Sequence, residues 1–281
     1  MYQIIDGKKV AAEIREKVKQ EVSKLEKKPG LAVILVGKDP ASKVYVNIKE
    51  KKCKEVGIES YKYELSEYAS EEEVLKLIEK LNKDKKITGI LVQMPLPKQI
   101  SKNKVMDAVR PEKDVDGFNP TNIGKMMLDE KGLVPCTPRG VMRLFKYYDI
   151  NLEGKEAVVI GNSVIVGNPI AQLMLKAGAT VTVCHIKTKD LKVHTTKADI
   201  IVSAVGKRNL VTDDMVKQGA VIIDVGIVRD KGKLYGDVDF ENVKDKCSYI
   251  TPVPGGVGPM TVACLLENTM IAYNMQEKGE K

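Results

Sequence analysis

The chain has 281 residues, 43% hydrophobic and 30% charged, which suits a buried core in one large or two medium domains and argues against disorder. No run of about 18 apolar residues occurs, the first seven residues lack a leader pattern, and five scattered Cys with no C-x-x-C pair and two His leave a membrane span, a disulfide framework and a structural zinc or His-rich metal site unexpected. The net charge of +8 raises nucleic acid as a partner, but six Arg among 46 basic residues, three Phe and no Trp leave few base-stacking platforms, so the charge reads as a solvated Lys surface suited to anionic small molecules.

A helical period covers residues 10–25. The first consecutive apolar run, 31–36, reads as a strand buried on both faces of a parallel sheet. It exits through Gly37-Lys38-Asp39-Pro40, where Asp39 suits a helix cap and Pro40 the first turn. The predicted helix covers 41–55, with Gly57 as its stop. On it Val46, Lys49, Cys53 and Val56 share one face. Lys49 either snorkels out of that face or is desolvated and serves as a base near neutral pH. Tyr45 lies one turn before Lys49, and Ser42 a turn earlier.

A helix over 71–81 precedes a second run, 87–92, which ends in Gln93-Met94-Pro95-Leu96-Pro97. Ligands sit beyond the carboxyl ends of parallel strands, so Gln93 either meets a ligand there or satisfies local backbone. Residues 111–138 have several Pro and Gly and no strong period, and read as a functional loop leading to a second domain. Within it Asp114 and Asp116 precede Gly117. They are too few oxygen donors for a metal. They are turn residues, or one of them accepts paired N–H donors from a heterocycle.

A helix over 137–148 opens the second unit, followed by apolar runs at 157–160, 181–184, 200–205 and 221–225 and a helix at 170–176. The repeated order gives an α/β class with parallel sheets. Gly161 and Gly167 bracket a strand-to-helix turn able to present N–H groups to a pyrophosphate, although the pattern is not G-x-G-x-x-G. The next strand ends in Cys184-His185-Ile186-Lys187-Thr188-Lys189. It lacks the acid that selects NAD by gripping the ribose, so a 2′-phosphate is more welcome; Lys187 and Lys189 are its partners or plain loop charge. His185 reads as a satisfied strand-end residue. Residues 251–261, with three Pro and three Gly, form a rigid turn with close backbone approach. Thr261 caps or opens a last helix over 260–275 that packs back on the first domain.

Eight segments in order carry a resemblance across the whole chain: ASKVYVNIKEKKCKEVGI (41–58), GILVQMPLP (89–97), PEKDVDGFNPTNIGK (111–125), PCTPRG (135–140), VIGNSVIVGNP (159–169), DVGIV (224–228), GDVDF (236–240) and TPVPGGVGPMT (251–261). With these the chain resembles the bifunctional methylenetetrahydrofolate dehydrogenase/methenyltetrahydrofolate cyclohydrolases. The resemblance implies a two-domain α/β fold: a folate-binding catalytic domain of residues 1–138 plus 262–281, a Rossmann-like NAD(P)-binding domain of 139–261, and a cleft between them. It implies oxidation of 5,10-methylenetetrahydrofolate with NADP, then hydrolysis to 10-formyltetrahydrofolate, by a cytoplasmic homodimer that uses no metal and binds neither nucleic acid nor membrane. Lys49 would be the central catalytic residue with Tyr45 beside it, Gln93 would tune Lys49, and Asp116 would grip the pterin. Ser42, Pro254, Gly255 and Gly256 would border the folate; Gly161, Asn162, Ser163, Ile186 and Ile227 would contact the dinucleotide. Many members have Arg in place of Asn162, Ser in place of Ile186 and Asn in place of Val228. The first two commonly hold the 2′-phosphate, which leaves an NAD-preferring dehydrogenase, a cyclohydrolase-only member and a non-catalytic sensor as the alternatives.

Overall fold

The computed structural model describes residues 1–230 and 232–278. In chain order its strands and α-helices are β1 (Gln3–Ile4), α1 (Gly7–Ser23), β2 (Gly30–Val36), α2 (Pro40–Val56), β3 (Glu59–Leu65), α3 (Glu71–Lys83), β4 (Gly89–Val92), α4 (Lys102–Ala108), α5 (Pro120–Leu128), α6 (Cys136–Tyr147), β5 (Glu156–Ile160), α7 (Gly167–Lys176), β6 (Thr180–Cys184), α8 (Lys192–Thr195), β7 (Ile200–Ser203), β8 (Ala220–Asp224), β9 (Val228–Asp230), β10 (Lys233–Tyr235), α9 (Phe240–Val243), β11 (Cys247–Ile250) and α10 (Val257–Lys278). The chain divides into two compact units, Glu13–Cys136 with Val262–Lys281, and Met1–Ala12 with Thr137–Thr261.

The first of these is built on a parallel sheet in the order β3-β2-β4. Every residue of β2 is buried, because both faces are covered. Leu31, Val33 and Leu35 meet Val46, Cys53 and Val56 of α2 and Leu265, Leu266 and Met270 of α10. Ala32, Ile34 and Val36 join Val74, Ile78 and Leu81 of α3 on the other side. The helix starts follow the chain's own chemistry. Asp39 caps α2 by accepting the Ser42 N–H at 2.7 Å, and Gly57 ends it at φ +83°. Ser70 and Glu73 close a capping box on α3.

Edge strand β3 lies outside the sequence expectation because it alternates polar and half-buried residues rather than running apolar. The stretch expected to be loop contains a 3-10 turn at Pro111–Lys113 and helix α5, capped by Asn119 accepting the Thr121 N–H.

The second unit is a six-stranded sheet in the order β1-β11-β8-β7-β5-β6, parallel at each pairing, beside a β9-β10 hairpin. The sequence expectation placed residues 1–12 with the catalytic domain. Here they group with the six-stranded unit, because Gln3 and Ile4 pair with Tyr249 and Ile250. The chain runs from β5 outward to β6 and then to β7 on the other side, so the strand order reverses at β5/β7, the switch point where ligands of such sheets bind. Helix α10 begins at Val257, one turn earlier than expected; Thr261 lies inside it, its Oγ1 2.9 Å from Thr137 Oγ1.

Candidate active site

The packed face of α2 is Ser42, Val46, Lys49, Cys53 and Val56, all buried. Lys49 is 8% exposed and does not snorkel. Its Nζ donates to Gln93 Oε1 at 3.0 Å, and Gln93 Nε2 donates to the Met94 carbonyl at 2.7 Å. Gln93 therefore does both things open to it: its amide is pinned by backbone at the carboxyl end of β4, which aims its oxygen at the lysine. The Met94–Pro95 peptide bond is cis. Tyr45 is half-buried one turn before Lys49, and Ser42 sits in the first turn, its backbone N–H held by the cap. Lys49 also acts on its own helix. Burial pushes the Cys53 thiol up to about 12 against the pull of the Lys49 charge.

The two carboxylates of the 114–116 segment are parted by the fold. Asp114 bridges to Ile90, as an extension of the sheet beyond β4, and points inward. It is 4% exposed, and its Oδ2 accepts from the Asn119 N–H at 2.7 Å and Asn122 Nδ2 at 2.9 Å. Burial raises its pKa against these donors. Asp116 lies in the turn that follows, lining one pocket with Val92 and Met94 at the end of β4. Loss of solvent pushes its carboxyl up to about 6, opposed by the charge of Lys49 and reinforced by Asp114. Lys49, Gln93 and Asp116 thus form one cluster with a cation, a fixed amide and an acid of raised pKa.

In the six-stranded unit the loops leaving β5 and β7 touch at the switch point. Gly161 has φ +112°, and a Cβ on it would stand 2.5 Å from the Ala204 carbonyl oxygen. A Cβ on Gly167 would stand 1.8 Å from the Gly161 oxygen. Ser163 Oγ accepts the Val166 and Gly167 N–H groups at 3.2 and 3.3 Å, so these two N–H groups at the start of α7 are met by the chain itself. Asn162 and Ser163 are exposed, and Ile186 and Ile227 are 98% and 44% exposed at the ends of β6 and β8. His185 is held locally: its N–H reaches Thr188 Oγ1 and its Nδ1 accepts the Lys187 N–H.

Two buried carboxylates in this unit were missed by sequence reasoning. Asp237, fully buried, accepts from Ser203 Oγ and from the Val205, Gly206 and Lys207 N–H groups. Asp224 accepts from the Gly226, Asp237 and Val238 N–H groups, and its own N–H donates to Thr251 Oγ1. Burial pushes Asp224 up to about 7 despite these donors, with Asp237 adding repulsion. The signal available was an acid closing the otherwise apolar run of β8. In the Thr251–Gly256 turn, Gly255 takes φ +119° and its carbonyl accepts the Lys8 N–H, while Gly256 N–H closes on the Pro252 carbonyl. Pro254 is exposed and Gly255 and Gly256 are buried.

Residues 5–116 match the tetrahydrofolate dehydrogenase/cyclohydrolase catalytic domain, and residues 135–277 match the NAD(P)-binding domain of the same enzymes. The chain belongs to the tetrahydrofolate dehydrogenase/cyclohydrolase family. Among family members, the bifunctional protein FolD of Campylobacter hominis is 57% identical over 272 residues, 95% of this chain and 96% of that one. The crystal structure of the bifunctional FolD dehydrogenase/cyclohydrolase from Campylobacter jejuni is 52% identical, with a TM-score of 0.96 over 98% of this chain and 100% of that one. The Trypanosoma brucei FolD, crystallised with NADP cofactor and inhibitor, is 36% identical, with a TM-score of 0.94 over 100% of this chain and 99% of that one. The Lys49 cluster lies within the match to the catalytic domain, and the strand-end turn at Gly161 within the match to the NAD(P)-binding domain.

Proposed function

We propose that this chain oxidises 5,10-methylenetetrahydrofolate to the 5,10-methenyl cation with NADP and then hydrolyses that cation to 10-formyltetrahydrofolate. The observation that carries the reading is Lys49, buried on a packed helix face, tied at 3.0 Å to Gln93 and electrostatically joined to Asp116. Oxidation of the methylene carbon needs no protein base; it needs the folate held in one orientation. Asp116 supplies that hold by accepting the pterin's paired N–H donors. At pH 7 it is mostly ionised, since its carboxyl titrates at about 6. Ser42 borders the folate.

In the hydrolytic step water adds to the methenyl carbon. Lys49 in its neutral form takes the water's first proton as the C–O bond forms, and returns it to N5 as the C–N5 bond breaks; the remaining hydroxyl proton leaves to solvent as the formyl C=O forms. Gln93 keeps Nζ in place through both transfers, and Tyr45 stands beside it on α2.

The residues at the carboxyl ends of β5, β6 and β8 fit NADP. Ser163 in the tightly packed Gly161–Gly167 turn is exposed, Ile186 and Ile227 offer apolar surface, and residues 185–189 directly after β6 include no acid to repel a 2′-phosphate. Bound there, NADP supplies the hydride acceptor. A second reading, preference for NAD, is favoured by Asn162 and Ile186, neither of which carries a charge for the 2′-phosphate. The protein works on this reading as a cytoplasmic homodimer on folate derivatives, without nucleic acid or membrane; among the described residues no helix is long and apolar enough to cross a membrane.

Formation of reduced nicotinamide from 5,10-methylenetetrahydrofolate, with NADP and NAD in parallel, tests the dehydrogenase and ranks the two cofactors. For the hydrolase, Lys49→Ala lowers methenyltetrahydrofolate hydrolysis by roughly 10²- to 10⁴-fold, the usual worth of a positioned acid–base group, with the circular dichroism spectrum unchanged. Undiminished hydrolysis by that variant rules out the mechanism.

A further inference from the structure

Asp116 lies in a turn just after the 3-10 turn at Pro111–Lys113 and the Asp114–Ile90 bridge. Helix α10 adds two side-chain holds on this segment. Asn268, fully buried, donates from Nδ2 to the Val115 carbonyl at 2.9 Å and to the Val134 carbonyl at 2.8 Å. Two turns along the same helix, Gln276 donates from Nε2 to the Glu112 carbonyl at 2.9 Å and the Thr88 carbonyl at 2.8 Å. Each amide therefore hooks the 112–115 segment to a second piece of backbone: Thr88 beside the start of β4, and Val134 near the start of α6. Asn268 Oδ1 is buried without a hydrogen-bond partner. An asparagine is costly in that position, and what offsets the cost is the two carbonyl bonds, with a longer contact from Nδ2 to Cys136 Sγ at 3.5 Å. The peptide that Asn268 grips is the one joining Val115 to Asp116.

We infer that Asn268 and Gln276 are positioning residues for Asp116, fixing the carboxylate that orients the folate without touching the substrate themselves. The inference rests on the role proposed above for Asp116. A carboxylate that must meet two N–H donors at once tolerates little displacement, because both bonds weaken steeply with angle. The Val115 carbonyl also accepts from Cys136 Sγ at 3.2 Å, so loss of Asn268 leaves only the weaker thiol donor to hold the backbone one bond from Asp116. Gln276 acts at Glu112, further from the acid, so its loss has the smaller effect.

The test is steady-state kinetics of the dehydrogenase with Asn268→Leu, Gln276→Leu, Asp116→Asn and the double variant of Asn268→Leu with Asp116→Asn. Thr269→Val is the control; its hydroxyl donates within the same helix to Leu265 at 2.9 Å and reaches no loop. Asn268→Leu raises KM for methylenetetrahydrofolate by roughly ten- to a hundredfold, the scale of a misplaced contact, while KM for NADP stays at the wild-type value. Gln276→Leu, at an exposed position, gives a smaller rise of the same kind and serves if Asn268→Leu fails to fold. In the Asp116→Asn background the further effect of Asn268→Leu on the folate KM disappears. If Asp116→Asn raises the folate KM and Asn268→Leu and Gln276→Leu do not, the positioning role is overturned and that of Asp116 stands. A rise with Asn268→Leu equal in both backgrounds, or matched by Thr269→Val, also overturns it. An unchanged folate KM in Asp116→Asn removes the underlying reading of Asp116 and the inference with it.

Discussion

At the scale of single residues, the site is a set of polar groups each constrained by a different partner. Lys49 is held by Gln93, Gln93 by the Met94 carbonyl, and Asp114 by Asn119 and Asn122. The arrangement leaves the Lys49 ammonium dependent on one neutral acceptor, so removing that acceptor strands a buried donor, a loss of about 1–3 kcal/mol. Gln93→Leu therefore lowers methenyltetrahydrofolate hydrolysis by about tenfold or more and the dehydrogenase rate by less, since hydride transfer asks nothing of Nζ. Both rates measured on one preparation check this; an equal fall in the two would place Gln93 in substrate binding.

At the scale of elements, the β5–α7 turn shows how a loop is specified by what it cannot accommodate. Gly161 approaches the Ala204 carbonyl, and Gly167 lies directly on the Gly161 carbonyl. A methyl group at 167 would overlap backbone that has no rotamer by which to yield. Gly167→Ala costs roughly 1–3 kcal/mol, the range for overpacking, and displaces the turn that carries Asn162 and Ser163. The expected outcome is a lower Tm together with a raised KM for NADP and an unchanged folate KM. Thermal denaturation and the two Michaelis constants decide it. Helix α10 is specified in the opposite way, by donors that only a folded partner can satisfy.

At the scale of the whole molecule, the buried acids set a pH dependence. Asp224 is raised from 3.8 to about 7 and Asp116 from 3.8 to about 6, in each case chiefly by burial. The folded state therefore holds protons that the unfolded chain releases across this range, and its stability falls as pH rises from about 4 to about 7. Exposed carboxylates such as Glu55 and Asp214, lowered by their lysine partners, act in the opposite sense and only at more acid pH; solvent screening keeps their share small. The Tm advantage of wild type over Asp224→Asn is accordingly largest at the acid end of the range, near pH 4, and shrinks to its minimum above about pH 7. Melting curves of both proteins across pH 4.5 to about 8 check the sign; a difference that grows with pH contradicts it.

Much of this protein is legible locally. Consecutive apolar runs marked β2, β4, β5, β7 and β8, because strands covered on both faces need no polar alternation; β6, read in the same way, is a half-exposed edge strand that alternates Thr and Val. Asp39, Pro40 and Gly57 bounded α2 through chemistry within a few residues of the helix ends, and helical spacing put Lys49 on its packed face. The ordered motifs carried the family. Edge strand β3, the short strands β1 and β11, and helix α5 were not legible, since their pattern is polar, brief or interrupted and their stability comes from neighbours. Residue pattern alone did not tell Asp114 from Asp116, although the resemblance named Asp116: each is an Asp in a turn-like stretch, and the fold points one at Asn119 and Asn122 and leaves the other near Lys49. The same holds for Asn268, whose partners are 153 and 134 residues away along the chain. Local pattern determines which segments become helix or strand because those choices depend on neighbours three or four residues off. Which polar groups are buried together, and hence which acid is structural and which is available for chemistry, depends on contacts that exist only once the sheet and its covering helices have closed.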